Sequence, residues 1–126
     1  MRRIRRAAVL VTAATLFGCT DDITNGNNGS GGDFTISVGS GTTPLYTWSA
    51  GPAFSLAVVR TANQSNVVWR VTSTAGEMTS PVRQGTVPAG ALESAASERT
   101  LTAGVQYRVS ITLADGQSSA YRDFIP

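Results

Sequence analysis

The 126-residue chain has no histidine, no lysine and a single cysteine, Cys19. Each absence removes a class of chemistry. Without histidine there is no Ser–His or Cys–His nucleophile pair, and the common zinc sites cannot be assembled. Without lysine the phosphate-cradling loop ending in Gly-Lys-Ser/Thr is excluded, although the glycine-rich stretch from Thr20 to Asp33 invites it. One cysteine allows no disulfide within the chain. No apolar segment is long enough to span a bilayer as a helix, because Ala7 to Phe17 supplies eleven residues where roughly 20 are needed. A sustained helical period is missing too: Ala89 to Ser97 is alanine-rich, but Gly90 and Pro88 oppose a helix there.

What is present divides the chain into unlike parts. All ten basic residues are arginine, and four of them (Arg2, Arg3, Arg5, Arg6) fall in the first six positions. The rest of the chain sets six scattered arginines against eight carboxylates, a net charge of −2. That balance and scatter argue against a phosphate-binding face, so no nucleic-acid partner is expected.

The N-terminal arginines, the apolar run Ala7–Phe17 and the site Leu16-Phe17-Gly18-Cys19 follow the order of an export signal. The last four residues resemble the bacterial lipobox, in which an aliphatic residue stands three before cysteine and a small one directly before it. The resemblance implies a lipoprotein: residues 1–18 are a cleaved signal peptide, and Cys19 carries diacylglycerol on its sulfur and a further acyl chain, such as palmitate, on its freed amine. Each buried methylene contributes ~0.8 kcal/mol, so two or more chains would hold the protein to a membrane essentially permanently. Thr20 follows the cysteine where an inner-membrane retention signal would place Asp, so the resemblance implies outer-membrane delivery in a two-membrane cell.

Residues 19–33 read as the acylated cysteine and a flexible linker. Thr20 to Asp33 holds four glycines, three asparagines and one apolar residue, Ile23, too little to offset its ordering entropy. Its reach as a random coil is roughly 20 Å. A calcium loop starting at Asp21 fails because Ile23 and Gly32 stand where oxygen ligands are needed, and no metal or cofactor is expected. The glycosylation sequons at Asn28 and Asn63 are short enough to arise by chance.

Residues 34–126 change pattern to short runs of period two, broken by Gly, Pro, Asn and Ser. Val105 to Leu113 is the clearest, apolar at every odd position and polar at every even one. Phe34, Ile36 and Val38 alternate likewise, as do Tyr46 with Trp48, Leu56 with Val58, and Val67 with Trp69 and Val71. Asp115-Gly116 predicts a two-residue type I′ turn leading to a last strand toward Phe124. The expected fold is all-β, an antiparallel β-sandwich of about seven strands, with Trp48 and Trp69 on its inner faces.

Leu101-Thr-Ala103-Gly104-Val-Gln-Tyr107, followed by that alternating strand, resembles the fibronectin type III signature Leu-x-Pro-Gly-x-x-Tyr. Pro44-Leu-Tyr46-Thr-Trp48 is similar to the family's second strand with its core tryptophan. Ala103 stands in place of the family's proline, and Leu56 in place of a common tyrosine. The resemblance implies a structural tyrosine corner formed by Leu101, Gly104 and Tyr107, with the tyrosine hydroxyl bonded to backbone a few residues upstream. It also implies an adhesion, spacing or accessory role, here without the Arg-Gly-Asp integrin motif.

The only residue pattern left for catalysis is paired carboxylates, Glu93 with Glu98 or Asp115 with Asp123. A turn and solvated loops account for them equally well, and no catalytic residue is assigned. The strand from Ser118 to Ile125 lacks clean alternation, so either Tyr121 or Phe124 can face outward as a surface anchor. Val59 and Val68 lie on outward phases and could form a small patch or a strand-accepting edge. The reading that follows is a lipid-anchored, non-enzymatic binding module in a bacterial cell envelope, contacting a protein or polysaccharide. A fixed structural or assembly subunit is the alternative, and a carboxylate hydrolase the second alternative.

Overall fold

The computed structural model describes residues 29–126; the signal-like segment, Cys19 and most of the linker lie outside them. The described chain is all-β, with nine strands in two antiparallel sheets and no helix. One sheet has six strands in the order β1 (Ser30–Gly32), β9 (Ser119–Phe124), β8 (Tyr107–Leu113), β4 (Ala53–Arg60), β5 (Asn63–Thr72) and β7 (Leu92–Ala96). The other has three: β2 (Ile36–Val38), β3 (Leu45–Trp48) and β6 (Val82–Arg83). The two sheets form a β-sandwich.

Period-two alternation explains the inner faces. Tyr107, Val109 and Ile111 of β8 are fully buried, and so are Leu56 and Val58 of β4. The three-stranded sheet contributes Ile36, Tyr46, Trp48 and Val82 to the same core. Tyr46 meets Phe124 edge-on across the sandwich at 5.8 Å between ring centres, and Tyr107 stacks on Phe124 at 6.0 Å. A fully buried side chain of this size contributes about 1.5–3 kcal/mol, so this cluster dominates the cohesion of a small domain without disulfides.

Three sequence expectations are corrected, and the open choice between Tyr121 and Phe124 is resolved. Ser30–Gly32, placed in the linker on composition, is a strand: Ser30 to Gly32 pair with Arg122 to Ala120 of β9. Val68 is not outward but buried, because a bulge sets Val58 opposite Trp69 and Val59 opposite Val67, and the extra residue Val68 turns into the core. The Asp115-Gly116 turn is not a two-residue hairpin. Leu113 N–H donates to Ser118 O and Gly116 N–H to Leu113 O, closing a four-residue loop in which the Asp115 carboxylate accepts from the N–H groups of Gln117 and Ser118. Finally, Phe124 is no surface anchor: it is 5% exposed, held in the core between Tyr46 and Tyr107.

Candidate functional site: an open groove opposite a polar strap

Among the described residues, the two edges of the six-stranded sheet differ in their polar chemistry. At the β7 edge, Glu93 lies opposite Val71, on the inner phase. Its carboxylate accepts from Trp69 Nε1 at 2.8 Å and from the Arg99 guanidinium. Beyond β7, Glu98 accepts from Arg60 Nε at 2.9 Å, from Arg60 Nη2 at 2.5 Å and from the Tyr107 hydroxyl at 3.1 Å. The bond from Arg60 holds the Glu98 carboxyl below the usual carboxylate range, and that from Arg99 does the same for Glu93.

Gln84, 1% exposed, ties this segment to the core. It accepts from the Tyr46 hydroxyl at 2.8 Å and donates to Glu98 O at 2.9 Å. Burial pushes the Tyr46 hydroxyl up from its ordinary value, so it stays a neutral donor. Leu101 is 3% exposed, and its N–H donates to Thr42 O. The Tyr107 hydroxyl, besides donating to Glu98, accepts from Thr102 N–H at 2.9 Å, five residues upstream. Gly104 is exposed in the intervening turn. Each of the four carboxylates considered for catalysis thus has its own partners: Arg99, Arg60, the Asp115 loop, and Arg108 on Asp123. No group of three or more His, Cys, Asp or Glu capable of holding a metal occurs among the described residues.

The β1 edge is different. Tyr121, on the outer face, is half-buried beneath the Arg108 guanidinium, 4.1 Å from its ring centre, while Arg108 makes two bonds to Asp123 at 2.6 and 3.0 Å. A side chain at Gly31 would come within 2.9 Å of the Tyr121 ring, so the ring covers the glycine where a second side chain would stand. Arg122, the next residue, pairs with core-facing Val109 and so has the inner phase. It lines an open groove of about 170 Å³ with Phe34, Ile36 and the β1 backbone. The side chains of Arg60, Arg83, Arg99 and Arg108 each have an acceptor, whereas that of Arg122, like that of Arg70 on the outer face, has no hydrogen bond or ion pair among the described residues.

Backbone pairing adds a second property. Asp123 N–H donates to Gly29 O, and Asp33 N–H to Ser119 O, so Gly29, Gly31 and Asp33 face β9. By alternation Ser30 and Gly32 turn their N–H and C=O groups to the side on which no strand of the described residues pairs. Sequence reasoning missed Arg122 and this edge. The one available signal was a charged residue on the inner phase of a strand whose alternation failed.

Protein-family models, curated proteins and solved structures were all compared with the chain, and none matches it.

Proposed function

We propose that the protein is a lipid-anchored module of a bacterial cell envelope that binds a partner and catalyses no reaction, its sandwich tethered through Cys19. The observation that carries the reading is the run of arginines, eleven-residue apolar segment and Leu-Phe-Gly-Cys site, in an order that resembles a lipoprotein signal. A binding role is supported by where the ionisable side chains are used. Glu93, Glu98 and Asp123 are tied to arginines within the fold, while Arg122 lines an open groove with no side-chain partner among the described residues. The Tyr107–Thr102 bond supports a fibronectin type III-like relationship, since that family carries a tyrosine hydroxyl-to-backbone bond at this place.

Cys19→Ala tests the anchor. The variant should lose metabolic palmitate label and shift from the membrane to the soluble fraction; unchanged partitioning rules lipidation out. One observation favours the second reading, a fixed envelope subunit. Leu92, 67% exposed on edge strand β7, pairs with Thr72, which pairs with Ser55 beside the exposed Phe54, so two apolar side chains lie near one end of the six-stranded sheet. A fixed subunit should co-purify with a neighbour in constant ratio, whereas a displayed module should purify alone.

A further inference from the structure

We propose that the groove beside β1 binds the C-terminal end of an extended peptide, which adds as a strand to the free edge of β1 and sets its terminal carboxylate on Arg122. The proposal rests on the binding-module reading and names its ligand class.

The open edge supplies the first half of the recognition. Ser30 and Gly32 present N–H and C=O groups outward, and an incoming strand completes them as β9 completes Gly29, Gly31 and Asp33. Neither Gly31 nor Gly32 has a side chain to obstruct it. β1 carries no charged side chain, no proline and no bulge, and the feature of it that discourages pairing is its length of three residues.

Charge supplies the second half. Arg122 is half-buried, and with no acceptor among the described residues its guanidinium can meet a carboxylate in the forked geometry the two groups share. Antiparallel addition to β1 runs the peptide from Gly32 toward Ser30, so its last residue arrives opposite Ser30, level with Arg122 but on the far side of β1, and the inner-phase Arg122 side chain reaches it across Ser30. Phe34 and Ile36 give the groove an apolar wall that suits one aliphatic side chain. Both signs of the interaction are therefore set: backbone pairing for affinity, and a buried-edge cation for a negative chain end.

The test is a nuclear magnetic resonance titration of the full chain, purified in detergent, with acetyl-Thr-Val-Thr-Val carrying a free carboxylate and with the same peptide amidated. Up to about 1 mM, the free acid should shift the amides of Ser30 and Gly32 and slow their hydrogen exchange. The amide should bind about tenfold more weakly, the worth of one charge-assisted pair. Arg122→Gln should erase the difference between the two peptides. Ser30→Pro removes an outward N–H without touching the bonds to β9, and should weaken both. Three results overturn the proposal: equal binding of acid and amide to the native chain, shifts confined to another surface such as that around Leu92, or Ser30 and Gly32 amides already protected before any peptide is added. The second leaves a binding module with its site elsewhere, and all three are independent of the fate of Cys19→Ala.

Discussion

At one edge of the six-stranded sheet, β7 and the segment after it are held by side chains: Glu93 on Trp69 and Arg99, Glu98 on Arg60 and Tyr107, Gln84 on the Glu98 carbonyl. At the other edge, β1 is held by backbone bonds to β9 and by one ring lying over a glycine. Side-chain anchors that reach into the core couple a strand to global stability. Backbone bonds at an exposed, glycine-rich edge leave it free to open locally, at a cost well below that of unfolding. A closed edge and an adaptable edge thus coexist in one small sandwich, and the adaptable one carries Arg122, a cation with no side-chain partner among the described residues.

The comparison breaks most visibly at Trp69. Trp69→Ala removes a fully buried ring and the donor to Glu93, so it should cost about 3–5 kcal/mol. Chemical denaturation measures this, and a loss under about 1 kcal/mol would mean that the β7 edge is not coupled to the core.

Acid should separate the two edges at a smaller cost. The folded state holds the carboxyls of Glu93 and Glu98 below their ordinary value of 4.5. A carboxyl depressed by folding stabilises the fold above its unfolded pKa, and that stabilisation is lost as pH falls through the folded value. Hydrogen exchange at Glu98 and Leu101 should therefore accelerate as pH drops from about 5, after correction for intrinsic rates. Equal acid sensitivity at both edges would remove the distinction.

Gly32→Ala should have the smallest global effect and the sharpest local one. Gly32 has φ +121°, and an added Cβ would lie 2.3 Å from Ala120 Cα and from Ser119 O, so β1 must detach. The melting midpoint should fall by no more than a few degrees, while exchange protection at Asp123 is lost. A collapse of the whole domain would show that β1 is as firmly coupled as β7.

How far these features could be read in advance depends on whether they leave a side-chain pattern. Tyr107, Val109 and Ile111 alternate so cleanly that their burial follows from spacing, and Trp48 and Trp69 take the core positions that their phases require. Val68 could not be read, because a bulge of one residue reverses the phase and depends on the partner strand as much as on β5. Strand β7, Leu-Glu-Ser-Ala-Ala, has no strand signature of its own and exists because β5 offers it an edge. The Glu98 network joins residues 38 positions apart, from Arg60 to Glu98 and from Tyr46 to Gln84, with no local motif to announce it.

From sequence alone follow the all-β class, the inner faces of the long strands and the exclusion of histidine and lysine chemistry, since each depends only on residue type and a period of two. Tertiary structure alone decided that Ser30–Gly32 joins the sheet, that Phe124 lies inside while Tyr121 sits under Arg108, and that Arg122 faces a groove with no partner among the described residues. The physical reason is that glycine strands pair through their backbones, and a charge is paired or unpaired according to what distant segments bring beside it.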